Sequence, residues 1–364
     1  MIRTAVVILN WNGRKFLEQF LPGVVKNTLS IDTSVIVADN GSEDDSVKWV
    51  TENQPEVQVI RLGRNYGYAG GYNMALSQVE AEYYILLNSD VEVEPAWAEK
   101  LVTYMDMHPN VGACQPKIRS YTSRDSFEYA GAAGGYIDRL GYPFCRGRIF
   151  DTVESDHGQY DDVCEIFWAS GSCIIVRGAA FDQCDGFDES FFVHMEEIDL
   201  CWRMQNAGYM ISYFPHSVVW HVGGGTLNYG SPSKIYYNFR NSLVMLAKNL
   251  PVKHLRRTIF ARQVLDGLAA VMLLFTEGRA AAAAVVKAHR DFRRQRTAIR
   301  TFRTITPNPG IFHTPHTTMN KYLLYEYYIR KRKTFTELNR KEYCHLLLSV
   351  QVHLSSVNVF LLRI

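Results

Sequence analysis

The residues best placed to do chemistry follow an apolar, aromatic-rich run at residues 83–87. A run of this kind is typical of a buried parallel strand, which would place Asn88 and Asp90 at the carboxyl edge of a sheet. Ligands bind at that edge, and a carboxylate with a second oxygen ligand two residues earlier can hold a divalent cation together with phosphate oxygens. The same stretch could instead form a turn that caps a helix near Pro95. The neighbouring segments distinguish between a cation site and a helix-capping turn.

A second acidic cluster precedes a helical pattern at residues 196–203. Carboxylates held near one another and beside aromatic residues resist ionisation, which moves Glu196 and Glu197 toward the proton affinity of a general base. Alternatively, both glutamates serve only the amino terminus of the helix. Asp199 and Arg203, four residues apart, are expected to form a structural ion pair.

His221 ends an apolar run before the glycines at 223–225. A lone histidine on a strand is usually structural, but one beside a metal-bound diphosphate is a reasonable ligand.

Strand and helix patterns alternate through the first ninety residues and predict how these side chains are positioned. The predicted strands are 4–9, 34–38, 57–62 and 83–87, with helices near 15–27 and 73–79 and a further helix that begins at 44–46. This alternation specifies right-handed crossovers, so all four loops after the strands meet at one edge. The fold class is therefore α/β, with a mostly parallel sheet flanked by helices.

The converging loops carry residues suited to a nucleotide. Asp39 can accept hydrogen bonds from a ribose hydroxyl or a base N–H, and glycines at 67–71 would let backbone approach a diphosphate that Arg64 could neutralise. A Gly-x-Gly-x-x-Gly motif after the first strand is missing, which disfavours a dehydrogenase, and no phosphate-loop motif occurs.

Four ordered motifs, at residues 6–13, 37–42, 64–71 and 86–90, resemble glycosyltransferase family 2, particularly its bacterial rhamnosyltransferase-like members. The resemblance covers about residues 4–250. It implies a nucleotide-diphospho-sugar transferase fold of the GT-A type, inverting transfer, and a divalent cation, Mg²⁺ or Mn²⁺.

The resemblance also implies roles for particular residues. The Asp-x-Asp metal motif of the family stands here as Asn88-Ser89-Asp90, so only Asp90 supplies a carboxylate. His221 stands in a His-Val-Gly-Gly-Gly-Thr segment, at the family position that often contacts the metal. In the family motif Glu-Asp-x-Asp-Leu-x-x-Arg the second acidic residue is the base, and that position is Glu197.

The remaining implied residues would bind the sugar nucleotide: Asn10, Asn12, Asp39, Asn40, Arg64, Asn65, Gly67, Asn88, Ser89, Trp168 and Gly171. Trp168 could pack on a sugar face, although its apolar surroundings fit a core tryptophan equally well. Residues 121–162 contain many Gly, Tyr and Asp residues and are predicted to be irregular, as part of an acceptor-side wall. A surface insertion without function is the alternative.

The amino-acid composition limits the class of protein and the compartment in which it is expected. The net charge of +2 over 364 residues gives no general reason to expect nucleic acid. Seven cysteines without a Cys-x-x-Cys pair fit buried thiols in a reducing compartment. The amino terminus lacks the pattern of a secretory signal, so we expect a cytoplasmic protein.

The carboxyl-terminal third differs in character from the rest. Residues 253–303 hold twelve Lys or Arg and three Asp or Glu, interleaved with apolar stretches. The longest apolar run, 267–275, is well short of the roughly twenty residues needed to span a bilayer, so this region is not expected to cross. Basic helices with apolar faces suit an anionic membrane surface, whereas a solvated hairpin packed on the catalytic domain is the alternative.

These observations predict three regions: a catalytic domain at 1–230, a basic, helical, membrane-associating appendage at 231–333, and an unassigned tail at 334–364. The expected function is transfer of a sugar, with rhamnose from dTDP-rhamnose implied by the subgroup, to a hydroxyl of a glycan or lipid-linked acceptor in cell-surface polysaccharide synthesis. A nucleotidyltransferase, or an inactive protein that binds sugar nucleotides or acts as a scaffold, is the alternative.

Overall fold

A nine-stranded sheet forms the centre of the computed structural model, which describes residues 2–28, 32–223, 231–305 and 314–339. The strands are β1 (Ile2–Asn10), β2 (Thr33–Asp39), β3 (Gln58–Arg61), β4 (Ala81–Asn88), β5 (Val91–Val93), β6 (Val111–Ser120), β7 (Gly135–Ile137), β8 (Pro143–Cys145), β9 (Arg148–Ile149), β10 (Thr152–Val153), β11 (Cys164–Glu165), β12 (Cys173–Arg177) and β13 (Met210–His221). The helices are α1 (Arg14–Thr28), α2 (Ser46–Asn53), α3 (Gly67–Leu76), α4 (Trp97–Met107), α5 (Gly178–Gln183), α6 (Glu196–Asn206), α7 (Pro232–Asn249), α8 (Val252–Thr276), α9 (Arg279–Arg294), α10 (Arg296–Ile305) and α11 (Phe335–Asn339).

The sheet is mixed, and its parallel half carries the predicted loops. Its order is β11-β13-β6-β12-β4-β1-β2-β3, with β5 paired to β13. Strands β4, β1, β2 and β3 are parallel, whereas β12 runs antiparallel to both β4 and β6. The α/β class is confirmed, while the antiparallel pairings show that only part of the sheet follows the simple strand–helix alternation.

Helices cover both faces of the parallel half because its strands are apolar on both sides. Val6 and Ile8 point into a cluster that includes Leu17 of α1, whereas Val7 points into the opposite cluster with Tyr72 of α3. All five side chains are at most 1% exposed. Successive residues of a strand point to opposite faces of the sheet, so a continuous apolar run is buried on both faces.

Helix α3 begins inside the glycine-rich segment that we predicted to be a loop. A side chain at Gly71 would place its Cβ 2.8 Å from Leu9, so this glycine lets α3 pack tightly on β1. Gly67 has a φ of +74° and faces Phe192, where a Cβ would lie 2.5 Å from both the ring and the carbonyl oxygen. The prediction of a loop was wrong because these glycines serve close packing of one chain segment on another.

The segment 121–162, predicted to be irregular, contains a second sheet of four short antiparallel strands in the order β10-β9-β8-β7. Gly141 and Gly147, with φ values of +76° and +92°, lie in the connections between these strands. Residues 314–339 pack on this sheet: the Met319 amide donates to the Ile137 carbonyl at 2.9 Å, and the rings of Phe335 and Tyr136 lie 5.1 Å apart. Gly141 and Gly147, two of the glycines that suggested irregularity, are turn residues between short strands.

Four consecutive helices, α7 to α10, follow the sheet. Helix α7 starts at Pro232, with the Ser231 hydroxyl accepting from the Lys234 amide at 3.3 Å, and ends before Pro251. By length and composition, α8 is long and apolar enough to cross a membrane, although core helices of soluble proteins pass the same test. The expectation of a helical carboxyl-terminal region is confirmed, whereas the predicted domain boundaries stay a prediction. Most of the unassigned tail, residues 340–364, lies outside the described residues.

Candidate active site

The carboxyl ends of the central strands bring the predicted polar residues to one edge. Asn10 at the end of β1 pairs in register with Asp39 at the end of β2, and Leu9 pairs with Asn88 at the end of β4. The Asn10 amide donates to the Ser46 hydroxyl at 2.9 Å, and it lies 3.4 Å from an oxygen of Asp39. The predicted convergence of the loops is confirmed.

Asp90 and His221 meet because a short strand follows the turn at 88–90. Val91 of β5 pairs with His221 of β13, and the Val222 amide donates to the Asp90 carbonyl at 3.1 Å. The side chains are buried, with Asp90 Oδ1 3.1 Å from His221 Nε2. The Asn88 amide nitrogen lies 3.4 Å from the same ring nitrogen. Gly224, Gly225 and Thr226 of the histidine motif lie outside the described residues.

Glu128 is a member of this cluster that the sequence did not reveal. Its Oε2 lies 3.4 Å from His221 Nδ1, and it is 5% exposed. Burial by itself lowers the pKa of His221, but contacts with the carboxylates of Asp90 and Glu128 outweigh it and raise the pKa to about 10. The imidazole is therefore held between two carboxylates, one on each ring nitrogen.

The donor atoms around Asp90 fit a divalent cation only if a ligand supplies further oxygens. Among the described residues, no group of three or more His, Cys, Asp or Glu side chains converges closely enough to hold a metal ion. Asp90 Oδ1 and His221 Nε2 nevertheless face each other with the Asn88 amide alongside. Magnesium sites commonly use one or two protein carboxylates and complete their shell with water and substrate phosphates. The site fits a cation bound together with a diphosphate.

Glu196 and Glu197 open helix α6 and differ in exposure. Glu196 is 3% exposed, whereas Glu197 is only partly buried. Burial raises the pKa of Glu196 well above its ordinary value, and the charge of Glu197 adds to the effect. Burial also raises the pKa of Glu197 to about 7, although backbone N–H groups at the helix start oppose it. One oxygen of each carboxyl has no hydrogen-bond partner, so both carboxyls can still accept a hydrogen bond.

The loop before these glutamates has an uncommon backbone. Phe192, His194 and Met195 have φ values of +65°, +69° and +73°. Asn241 of α7, which is fully buried, holds the loop by donating from Nδ2 to three carbonyls, those of Phe191 at 2.9 Å and of Val193 and His194 at 2.8 Å. Residues in this region of φ are strained unless their surroundings fix them, so α7 sets the position of the glutamates.

The same loop touches the glycine-rich start of α3. The Tyr68 amide donates to the Phe192 carbonyl at 2.7 Å, and the Tyr68 hydroxyl donates to the Gly171 carbonyl at 2.8 Å. The loop before the acidic pair is therefore in direct contact with the start of α3.

Asp199 and Arg203 form the predicted ion pair, with Nε 2.8 Å from Oδ2. The pair is part of a buried network, since Asp199 also accepts from Lys248 at 2.9 Å and from Asn249 at 2.7 Å. Both partners lie on α7. The structural role expected of this pair is confirmed.

Among the predicted nucleotide-binding residues, Asn10, Asp39 and Arg64 have groups left for a ligand. Asn10 Oδ1 is buried without a hydrogen-bond partner. Asp39 is 6% exposed and accepts weakly from the Ser42 amide, at 3.3 Å. The Arg64 side chain is exposed and lies over the Tyr66 ring, 4.6 Å from its centroid.

Asn12, Asn40 and Asn65 use their side chains mainly within the protein. Asn12 Oδ1 accepts from the Glu43 amide at 2.7 Å. Asn40 donates to the Gly67 carbonyl at 3.0 Å and to Asn65 Oδ1 at 3.2 Å. Asn65 Oδ1 also accepts from the Gly67 amide at 2.8 Å. These asparagines fix the shape of the loops, which is an indirect contribution to any ligand site.

Of the two interpretations of Trp168, a sugar platform or a core residue, the structure supports the core residue. It is 3% exposed, donates from Nε1 to the Tyr136 carbonyl at 3.0 Å, and covers Gly135, where a Cβ would lie 2.1 Å from the ring. Gly171 is close to Tyr68, because a Cβ built on Gly171 would lie 2.7 Å from the Tyr68 hydroxyl oxygen. Ser89 is partly buried, with Oγ 3.5 Å from a Cβ built on Gly13.

Lys234 and His194 are two further charged or titratable groups that the sequence did not single out. Burial lowers the pKa of Lys234, opposed by the charge of Glu128, and burial followed by the charge of Lys234 lowers the pKa of His194 to about 4. A lysine in the first turn of a helix carries no sequence signal of its own.

Comparison with known proteins agrees with this arrangement. Residues 5–161 match the family model for glycosyl transferase family 2. The chain is 28% identical over 260 residues to an N-acetylglucosaminyl-diphospho-decaprenol L-rhamnosyltransferase of Mycobacterium tuberculosis, covering 66% of this chain and 83% of that protein. It is 24% identical over 229 residues to the dTDP-rhamnosyl transferase RfbF of Shigella flexneri, covering 59% of this chain and 71% of that protein.

Solved structures share the fold at low sequence identity. TarS of S. aureus in complex with UDP-GlcNAc superposes with a TM-score of 0.53 at 16% identity, covering 83% of this chain and 87% of that chain. GalNAc-T7 with UDP, GalNAc and Mn²⁺ gives a TM-score of 0.54 at 15% identity, covering 84% of this chain and 56% of that chain. These likenesses concern the fold, which is that of GT-A glycosyltransferases.

Proposed function

We propose that the chain is a family 2 glycosyltransferase of cell-surface glycan synthesis, similar to bacterial rhamnosyltransferases, and that it transfers rhamnose from dTDP-rhamnose, with inversion, to a hydroxyl of a lipid-linked glycan. The relatives named for rhamnosyl transfer support the donor, and the decaprenol in the name of the mycobacterial relative supports the kind of acceptor. The proposal places this reaction at the inner face of the cell membrane.

One observation carries the proposal: the loop before Glu196 and Glu197 contacts the glycine-rich start of α3, next to the strand edge that holds Asp90. A transferase that inverts in one displacement needs a base for the acceptor and charge stabilisation for the leaving diphosphate, held on either side of the sugar. The two groups of residues in this site correspond to these two tasks.

Asn10, Asp39 and Arg64 are proposed to hold the nucleotide. The unpaired Asn10 oxygen and the weakly engaged Asp39 carboxylate can accept hydrogen bonds from ribose hydroxyls or base N–H groups. The exposed Arg64 guanidinium can pair with phosphate oxygens. Asn40 and Asn65 contribute by fixing the loops around these residues.

Asp90 and His221, with Asn88 beside them, are proposed to hold a divalent cation, Mg²⁺ or Mn²⁺. When bound, such a cation neutralises negative charge on diphosphate oxygens. Asp90 would supply the carboxylate, and His221 would supply Nε2 once that nitrogen has released its proton, with Glu128 orienting the imidazole from the side of the other nitrogen.

Glu197 is proposed to be the general base. As the acceptor oxygen forms a bond to the anomeric carbon, the bond from that carbon to the diphosphate oxygen breaks, and the acceptor proton passes to the Glu197 carboxylate. The partial exposure of Glu197 allows contact with an acceptor, and its raised pKa of about 7 gives it a useful proton affinity near neutral pH. The buried Glu196 is the adjacent alternative.

A thermal-shift screen of nucleotide sugars, with and without Mn²⁺ or Mg²⁺, tests the donor. Ligands that bind the folded state raise its stability by mass action, so dTDP-rhamnose with a cation should give the largest shift. An equal response to every sugar nucleotide, or none to dTDP-rhamnose, would contradict this donor. The Asp90→Asn variant is expected to lose the shift that depends on the cation, and its free form should melt at a lower temperature than the wild type, because Asp90 is buried and contacts His221.

A further inference from the structure

Helix α8 has a polar inward face. Arg262 and Asp266 are 3% and 1% exposed, and Arg262 donates to the Leu140 carbonyl at 3.1 Å and to the Ser242 hydroxyl at 2.7 Å. Asp266 Oδ2 lies 3.0 Å from His289 Nε2 of α9. Charged and polar groups therefore anchor this helix to the rest of the protein.

The outward face of α8 is apolar in its carboxyl-terminal two thirds. Its large exposed side chains, with exposures from 41% to 83%, are Phe260, Val264, Leu268, Val271, Leu274 and Phe275. At about 100° per residue these positions fall on one side of the helix and extend about 22 Å along it. A surface helix of a soluble protein shows the opposite arrangement, with its apolar stripe toward the core.

The same outward face is basic in its first two turns. Lys253, Arg256 and Arg257 are exposed and, by the same helical angle, lie on the side of Phe260 and Val264. Within the described ranges, none of these three cations forms a salt bridge. One face thus presents cations followed by a contiguous apolar stripe, larger than the scattered apolar residues of ordinary surfaces.

Two other arrangements of this face conflict with the contacts of α8. Crossing a bilayer would require Arg262 and Asp266 to leave the partners that hold them, because these side chains attach α8 to the catalytic domain and to α9. A second copy packed on the same face would offer no carboxylate of its own α8 to Lys253, Arg256 and Arg257, because Asp266, the acidic residue of this helix, is buried on the inward face. An anionic lipid surface, in contrast, complements the cations and accepts the apolar stripe.

We infer that the outward face of α8, from Lys253 to Phe275, is a docking surface that lies in the interface of an anionic bilayer. The basic turns contact lipid headgroups, and Phe260, Val264, Val271 and Phe275 enter the apolar boundary below them. This inference rests on the proposed function only for the reason to dock, which is access to a lipid-linked acceptor.

Flotation of the full-length protein with vesicles tests the docking surface. We expect the wild type to float at low salt with vesicles of equal parts phosphatidylglycerol and phosphatidylcholine, and weakly with phosphatidylcholine alone. The pair Val264→Glu with Val271→Glu should weaken binding to the mixed vesicles on the order of tenfold or more, because it puts two carboxylates against lipid. The pair Arg256→Gln with Arg257→Gln should weaken binding to the mixed vesicles by a similar factor and leave the weak binding to phosphatidylcholine unchanged.

The matched control is Met107→Glu with Val163→Glu, which makes the same change at two apolar residues, 66% and 43% exposed, away from α8. It should float like the wild type. Flotation of Val264→Glu with Val271→Glu at the wild-type level would overturn the inference. So would a wild type that fails to float but dimerises, with the dimer dissociated by the same pair of substitutions.

Thermal shifts with dTDP-rhamnose, measured on the same preparations, separate this inference from the proposed function. A variant that keeps its donor shift and loses flotation has lost docking alone. A wild type that floats but responds to no sugar nucleotide would leave docking standing and reject the proposed donor chemistry.

Discussion

Glu196 and Glu197 are neighbours in the chain but occupy different environments. Glu196 is buried and feels the charge of Glu197, whereas Glu197 is partly exposed at the helix start. In the proposed mechanism this difference separates a residue that can reach an acceptor from one that cannot. Burial also has a thermodynamic consequence that does not depend on the mechanism.

We expect Glu196→Gln to stabilise the protein increasingly as the pH rises. The folded protein binds the Glu196 proton more tightly than the unfolded chain, whose ordinary pKa is 4.5, so raising the pH above that value lowers the unfolding free energy of the wild type. The effect is at most about 1.4 kcal/mol per pH unit, until the pH passes the raised pKa. Glutamine has no proton to lose.

Urea unfolding at pH 5 and pH 8 measures this difference. The control is Glu99→Gln, which changes an exposed glutamate in the first turn of α4. The difference in unfolding free energy between this variant and the wild type should be nearly the same at both pH values. If Glu196→Gln differed from the wild type by the same amount at both pH values, Glu196 would not be a buried acid.

A second prediction concerns Glu128, which lies 3.4 Å from His221 Nδ1. We expect Glu128→Gln to weaken Mn²⁺ binding by about 10- to 100-fold, because carboxylates that contact a ligating histidine orient the ring and raise its basicity. Calorimetry of Mn²⁺ binding in the presence of dTDP measures the affinity without turnover. Glu165→Gln removes a similar contact, to His316 at 2.9 Å and outside the site, and should leave the affinity unchanged. Equal losses in both variants would contradict a specific role for Glu128.

At the scale of elements, α7 connects the candidate active site with helices α8 and α9. Asn241 holds the loop before Glu196, while the adjacent Ser242 accepts from Arg262 of α8. Tyr236 of α7 donates to Asp291 of α9 at 3.0 Å. One helix thus fixes both the strained catalytic loop and the proposed docking surface.

Asn241→Ala should lower kcat at least tenfold with little change in donor affinity, because the loop at 191–195 would lose the donor that holds three of its carbonyls. Stability should fall by about 1–3 kcal/mol, since buried carbonyls are left unpaired. The control is Asn27→Ala, which removes a bond to the Val93 carbonyl at 3.1 Å on another part of the sheet. Kinetics and calorimetry on both variants separate the effects, and an Asn241→Ala enzyme with unchanged kcat would show that the loop keeps its shape unaided.

The strands were predicted correctly from the sequence where an apolar run was followed directly by polar residues. The strands of the parallel half and the edge carrying Asn10, Asp39 and Asn88 followed from apolar runs and their polar ends. The glycine-rich start of α3 did not, because packing against Leu9 and Phe192 favours small residues as strongly as a phosphate loop does.

The contact between Glu128 and His221 was also beyond prediction. It depends on how the segment after β6 lies beside the end of β13, and the register of these strands shifts twice along their length. Trp168 illustrates a third case, since apolar neighbours fit a core tryptophan and a sugar platform alike, and only its bond to Tyr136 decides for the core.

At the scale of the whole molecule, the parallel half of the sheet carries the residues proposed to hold the nucleotide, and the start of α6 carries the acidic pair. The second sheet and residues 314–339 pack together beside them. The helices α7 to α9 complete the molecule on the side of the proposed bilayer. In this account a water-soluble donor meets an acceptor whose lipid stays in the membrane.

The most direct test is the rate of rhamnose transfer from saturating dTDP-rhamnose to a lipid-linked acceptor by the wild type, Glu197→Gln and Glu196→Gln. A general base contributes on the order of a hundred- to ten-thousand-fold to the rate, so Glu197→Gln should lose at least that lower factor in kcat while keeping its donor-induced thermal shift. Glu196→Gln should retain most of the turnover. An active Glu197→Gln enzyme beside an inactive Glu196→Gln enzyme would move the base by one residue, and full activity in both would contradict the proposed mechanism.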